Sequence, residues 1–210
     1  MDVTLIDSMG NDLSVVNAPR VSFAKQAKEF TERDEGLIRY LATHDHWTPF
    51  SQVQYQVRIK APIFVARQWF KHMIGITRNE TSRRYVSDAP EFWMPYIWRK
   101  AADNKKQGSM DEAVEKNSIV SNVYQDTVRH CEDAYKLMID SGVCPEQARA
   151  VLPQSMMTEW VETGSIAAAA RIYKQRVDEH AQVEIQELAQ YFGEAVQNIA
   201  PTSWKYLTKN

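Results

Sequence analysis

Residues 52–60, QVQYQVRIK, alternate strictly: Val53, Tyr55, Val57 and Ile59 point one way, and Gln52, Gln54, Gln56, Arg58 and Lys60 the other. Period-two alternation of this kind predicts a half-buried strand in an antiparallel sheet. Residues 3–6, VTLI, predict a shorter strand, closed by the turn-forming Met9, Gly10, Asn11 and Asp12. Elsewhere the period is helical. Leu37, Ile38 and Leu41 make the apolar stripe of a helix that starts at Thr31 and runs to about Thr43. Pro62 occupies a helix-opening N1 position before IFVARQWFKH. A long helical stretch follows from Asp111 to about Ile139, stopped by Gly142, and Pro145 opens a short helix, PEQARAVL. Residues 166–176, IAAAARIYKQR, have high helix propensity. Ile185, Leu188, Phe192, Val196 and Ile199 then keep the spacing of one helical face.

Many helices around few strands, without regular βαβ alternation, predict an α+β fold. The expected architecture is a single domain over residues 1–210, with a small antiparallel sheet flanked by several helices, one of them long and central. Only residues 101–110, AADNKKQGSM, lack apolar anchors, and they read as a surface loop.

Composition narrows the partners. Lys and Arg number 25 against 27 Asp and Glu, a net charge of −2, so no global pull toward nucleic acid or a membrane surface is expected. Two cysteines, Cys131 and Cys144, cannot build a disulfide framework and suit a reducing compartment. The opening MDVTLIDSMGND carries acids where a secretory signal would carry bases, and no window has ~18 consecutive apolar residues. The expectation is a soluble cytoplasmic protein.

Three polar clusters could carry chemistry. Between residues 67 and 85 stand Arg67, Gln68, Lys71, His72, Arg78, Asn79, Glu80, Ser82, Arg83, Arg84 and Tyr85, with Arg67 and Lys71 on one helix ahead of an extended NETSRRY segment. Such cations interleaved with Asn, Ser and Glu suit a ligand with a phosphate and a hydrogen-bonding ring. Composition alone fits a solvated charged turn as well, but Trp69 and Phe70 beside the charges favour a partly buried polar site. Asp88 and Glu91 next to it argue against nucleic acid. In the second cluster, RVDEHAQVEIQ, Arg176 and His180 share one side of a helix start. The third, residues 43–48, THDHWT, admits a metal site or the His-Asp pair of a nucleotide phosphohydrolase. A nucleophilic cysteine needs an orienting base, and neither Cys131 nor Cys144 has one in the sequence.

In this order the clusters resemble the flavin-dependent thymidylate synthases, whose hallmark is R-H-R-x-x-S-x-N-E-x-S-x-R-Y. Residues 79–85 match its second half in full. MGNDLS, RVSF, THDHWTPF, KAPIFVARQWF, EQARAVLP, and Arg176 with HAQVEIQ extend the likeness from Met9 to about Gln186. Lys71, His72 and Met73 stand where the hallmark opens with R-H-R, with one extra residue before Asn79. Ser165 and Arg171 stand where family members often use asparagines against the flavin.

The resemblance implies a homotetramer with FAD bound at active sites between subunits and no metal. It implies conversion of dUMP, 5,10-methylenetetrahydrofolate and NADPH to dTMP, tetrahydrofolate and NADP+, without a cysteine nucleophile. By the same resemblance, Gln68, Lys71, Glu80, Ser82, Arg83, Arg84, Arg149 and Arg176 bind dUMP. Arg176 is the catalytic residue, facing the uracil ring and favouring its ionised N3 form. His46, Thr48, Lys71, His72, Glu80, Ser165, Arg171 and His180 line the FAD and folate side. Two rival readings stay open at this level: a His44–Asp45 metal phosphohydrolase and a nucleic-acid-binding module.

Overall fold

A computed structural model describes residues 1–86, 88–102 and 108–209. In chain order the elements are β1 (Asp2–Met9), α1 (Asp12–Arg20), α2 (Glu32–Thr43), β2 (Gln54–Pro62), α3 (Ile63–Trp69), β3 (Ile76–Glu80), β4 (Arg99–Ala101) and β5 (Ser109–Ala113). They continue with α4 (Asn117–Asp140), α5 (Pro145–Ala148), β6 (Met157–Ser165), α6 (Ile166–Arg176), α7 (Val183–Val196) and α8 (Pro201–Leu207). One sheet has the order β1-β2-β6-β3, and β4 pairs with β5 in a second. The Ile166 N–H donates to the Val53 carbonyl (2.9 Å) and the Ile63 N–H to that of Met156 (3.0 Å). Numbering therefore rises along β2 as it falls along β6, and the pair is antiparallel. The fold is the expected α+β.

By contacts the chain forms two compact units, one of residues 1–59, 69–79 and 160–210, the other of 60–68 and 80–159. The first holds most of the apolar core. Val53, Tyr55, Val57 and Ile59 are all buried, as their alternation predicts. Phe192 of α7 meets Tyr55 and Trp69 edge-on, with ring centroids 5.3 and 5.1 Å apart. Each such large side chain contributes about 1.5–3 kcal/mol by leaving water. The start of α2 is capped as its sequence suggests. Thr31 N–H and Oγ1 both donate to Asp34 (2.8 and 2.7 Å) at the start of α2. The Asp12 carboxylate accepts from Thr202 N–H, Ser203 N–H and Ser203 Oγ, tying the start of α1 to the start of α8.

In the second unit, Phe64 packs on Trp93 (5.2 Å) and Trp98 on Tyr124 (5.1 Å). The 24 residues of α4 bury only Tyr135.

Several elements depart from the sequence reading. The long helix begins at Asn117, not Asp111, because residues 109–113 pair with β4 instead. Of the expected loop at 101–110, residues 103–107 lie outside the described residues, and its flanks belong to β4 and β5. Pro62 closes β2, and the helix after it ends at Trp69, so Lys71 is not on it. The chain must turn back there as β3, and Gly75 supplies a φ of 74° in that turn. α1, α8 and β6 carried no clear periodic signal. On β6 the inward positions are Thr158, Trp160, Glu162 and Gly164, too polar to read as a core face.

Candidate functional site

The hallmark-like segment straddles the end of β3. Thr81 N–H donates to the Glu159 carbonyl (2.8 Å), extending the pairing with β6, and the chain then turns over Ser82. The Ser82 carbonyl accepts from Tyr85 N–H (3.0 Å) and its hydroxyl from Arg84 N–H (3.3 Å). This turn brings Ser82 and Arg83 to the wall of a cavity of about 510 Å³, where Glu80, Lys60 and Arg149 also reach. Ile63, Leu152 and Met156 give it an apolar side. Glu80 is held by Thr158 Oγ1 (2.6 Å), Lys60 by Glu91 (2.5 Å), and Arg83 donates to the Asp88 carbonyl. Arg149 Nε donates to the Glu146 carbonyl, and Arg84 pairs loosely with the exposed Glu146 side chain (both 3.3 Å). A lining that combines cations, hydroxyls, carboxylates and apolar groups can hold a phosphate and a polar ring together. Gln68 sits half-buried on α3.

The other unit is organised around Glu162, fully buried on β6. Its carboxylate accepts from Tyr55 Oη (2.7 Å), Trp69 Nε1 (2.9 Å), Arg78 Nε (2.6 Å) and, more distantly, Trp160 Nε1 (3.4 Å). Burial, then the Glu162 charge, raises the Tyr55 hydroxyl well above its usual pKa, so it stays a donor. Beyond Trp69 lies His72, 8% exposed, whose Nε2 accepts the Nε–H of Arg176 at 2.8 Å. Burial first, then the charges of Arg176, Arg171 and Arg78, pushes the His72 pKa down to about 4. The ring is therefore neutral at physiological pH, as an acceptor must be. Burial lowers the Arg176 pKa too, from a starting point so high that the guanidinium stays charged.

A second cavity in this unit, about 540 Å³, is lined by Trp47, Ser51, Gly75, Ser165, Arg171 and Lys174 among others. Arg171 is pinned by donating to the Ile74 carbonyl (2.6 Å), and the Ser165 hydroxyl caps α6 by accepting Ala168 N–H (3.2 Å). His46 and Thr48 are exposed beside Trp47, Lys71 is exposed beside His72, and His180 is exposed past the end of α6.

A family model described as thymidylate synthase complementing protein matches residues 4–202. A flavin-dependent thymidylate synthase from Thermosipho africanus is 39% identical over 188 residues, covering 88% of this chain and 81% of that one. The chain belongs to the flavin-dependent thymidylate synthase family. A second member, from Thermus thermophilus, is 36% identical over 202 residues, covering 96% of this chain and 73% of its own. Among solved structures, the UMP/dUMP methylase PolB from Streptomyces cacaoi, bound with 5-Br dUMP, superposes with a TM-score of 0.88 at 27% identity, covering 98% of this chain and 94% of that one.

Against this family background, the polar residues absent from the sequence-derived clusters are Lys60, Glu159 and Glu162, while Arg78 stood in the first cluster without an assigned role. Glu162 was detectable only as one of four alternate residues, Thr158, Trp160, Glu162 and Gly164, that share a strand face. Cys131 and Cys144 are both free thiols, and Cys144 is exposed. Among the described residues no three His, Cys, Asp or Glu side chains gather as a metal site would require. No helix among them is long and apolar enough to cross a membrane.

Proposed function

We propose that residues 1–210 act as one thymidylate synthase domain that reductively methylates dUMP. In this reaction dUMP, 5,10-methylenetetrahydrofolate, NADPH and a proton give dTMP, tetrahydrofolate and NADP+. The observation that carries the reading is the cavity formed around residues 80–83, where the family's NExS motif meets Arg149. Ser82, Arg83 and Arg149 hold the nucleotide phosphate there, with Arg84 close by, while Glu80 and Gln68 take polar groups of the ligand. Arg176 faces the uracil ring, favours its ionised N3 form and pushes electron density toward C5.

The residues of the second cavity fit FAD. Arg171, Lys174, Ser51 and Ser165 offer charge and donors for a pyrophosphate, and Trp47 offers a face for a ring. At Gly75 a Cβ would come 3.7 Å from Ala168 Cβ and 3.9 Å from Ser165 Oγ, taking up room on that wall. His46, Thr48, Lys71, His72 and His180 border the flavin and folate, and Glu80 serves the nucleotide and the flavin jointly. Reduced flavin, when bound, supplies the hydride that ends on the pyrimidine, and folate gives only its one-carbon unit. The enzyme works as a homotetramer in the cytoplasm, with active sites completed by neighbouring subunits.

The test is dTMP formation by purified protein given FAD, NADPH, dUMP and methylenetetrahydrofolate, with each omitted in turn. Production that needs all of them supports the reading. A folded, FAD-loaded protein that makes no dTMP contradicts it.

A further inference from the structure

His72 is buried, yet it sits one residue from the exposed Lys71 and Met73, in the turn that links α3 to β3. Its place is fixed from two sides. The Trp69 and His72 rings meet edge to face with centroids 6.5 Å apart, and Trp69 is itself anchored through Nε1 to the fully buried Glu162. On the other side, Nε2 takes the Nε–H of Arg176 from the last turn of α6. Glu162, Trp69, His72 and Arg176 thus form one chain of contacts that starts in the core and ends on a guanidinium.

A long, flexible arginine at a helix end ordinarily samples many rotamers in solvent. Here one of its five donors is committed to a neutral acceptor, which fixes the plane of the whole fork. Substituting a carboxylate for that acceptor would hold the arginine more strongly, but it would also neutralise the charge that an ionised pyrimidine needs. Neutral imidazole orients the cation without cancelling it. Burial first, then the charges of Arg176, Arg171 and Arg78 around the same ring, keep it unprotonated.

We propose that His72 is a positioning residue for the nucleotide: by accepting from Arg176 Nε–H it sets the guanidinium in the orientation that meets the pyrimidine. The proposal rests on the reading that Arg176 contacts dUMP, and it moves His72 from the flavin side to the substrate side of the site.

The test uses FAD-loaded protein and measures dUMP affinity by calorimetry, FAD content by absorbance, and kcat and KM separately. His72→Leu removes the acceptor at similar volume. It should weaken dUMP binding roughly tenfold and raise KM more than it lowers kcat, with FAD content unchanged, since contacting residues couple strongly. His72→Gln restores an acceptor oxygen and should recover most of the affinity. If His72→Leu melts early, the Gln variant still decides the matter, because a purely packing role would not be served by a longer polar side chain. His72→Leu combined with Arg176→Ala should bind dUMP no more weakly than Arg176→Ala alone. Fully additive losses, or lost FAD with dUMP affinity intact in His72→Leu, would overturn the proposal while leaving Arg176 in the site. Unchanged dUMP affinity in Arg176→Ala would overturn the underlying reading itself.

Discussion

Glu162 is fully buried and accepts three short hydrogen bonds, one of them from the cation Arg78. Glu162→Ala would strand that guanidinium and two further donors, a change that costs roughly 3–5 kcal/mol for a buried charge left without its partner. Chemical denaturation should show a loss of that size, whereas a loss under ~1 kcal/mol would mean that water replaces the carboxylate. Such a residue is nearly invisible in sequence, since a glutamate in an irregular stretch reads as surface. The residues around it were more legible: Trp69 beside a charge cluster already suggested a buried polar site. His72 adds a pH signature. Its pKa is near 4 when folded and 6.5 when free, so the unfolded chain binds a proton between those values that the folded chain refuses. Its contribution to stability is complete above about pH 6.5, falls as pH drops toward 4, and is level below. The stability difference between the native chain and His72→Gln should follow that course; a difference independent of pH across the window would show that the imidazole titrates normally.

At the scale of elements, what the sequence could reveal depended on which face was apolar. β2 was legible because its buried positions are Val53, Tyr55, Val57 and Ile59, whereas β6, its neighbour, buries Thr158, Glu162 and Gly164 and shows no hydrophobic alternation. Gly164 has a packing reason to be glycine, for a Cβ there would lie 2.8 Å from Tyr55 Oη. α6 and α7 carry their cores at helical spacing and began close to where they were expected. α8 escaped notice because its anchor is distant in sequence: Asp12 caps it from the other end of the chain. Asp12→Ala should destabilise the protein by about 1–2 kcal/mol, the upper range for a lost cap, with the C-terminal helix exchanging its amide hydrogens first. Uniform loss of protection would mean that the cap does not act locally.

For the whole molecule, α4 leaves Ile119, Val120, Val123 and Leu137 exposed, more apolar surface than a solitary helix face usually shows to water. A homotetramer would cover such a face, and light scattering of the FAD-loaded protein should return four times the chain mass; a monomer mass with FAD bound would break the link between cofactor and assembly. The chemistry itself turns on the origin of the hydride. A thymidylate synthase that takes hydride from the folate releases dihydrofolate, whereas the reaction proposed here releases tetrahydrofolate and draws on reduced flavin. Methylenetetrahydrofolate carrying deuterium at C6 separates the two in a single mass spectrum of the products. The expected result is dTMP free of deuterium, with the label retained in tetrahydrofolate. Deuterium in the dTMP methyl group, together with dihydrofolate, would contradict the flavin-based mechanism.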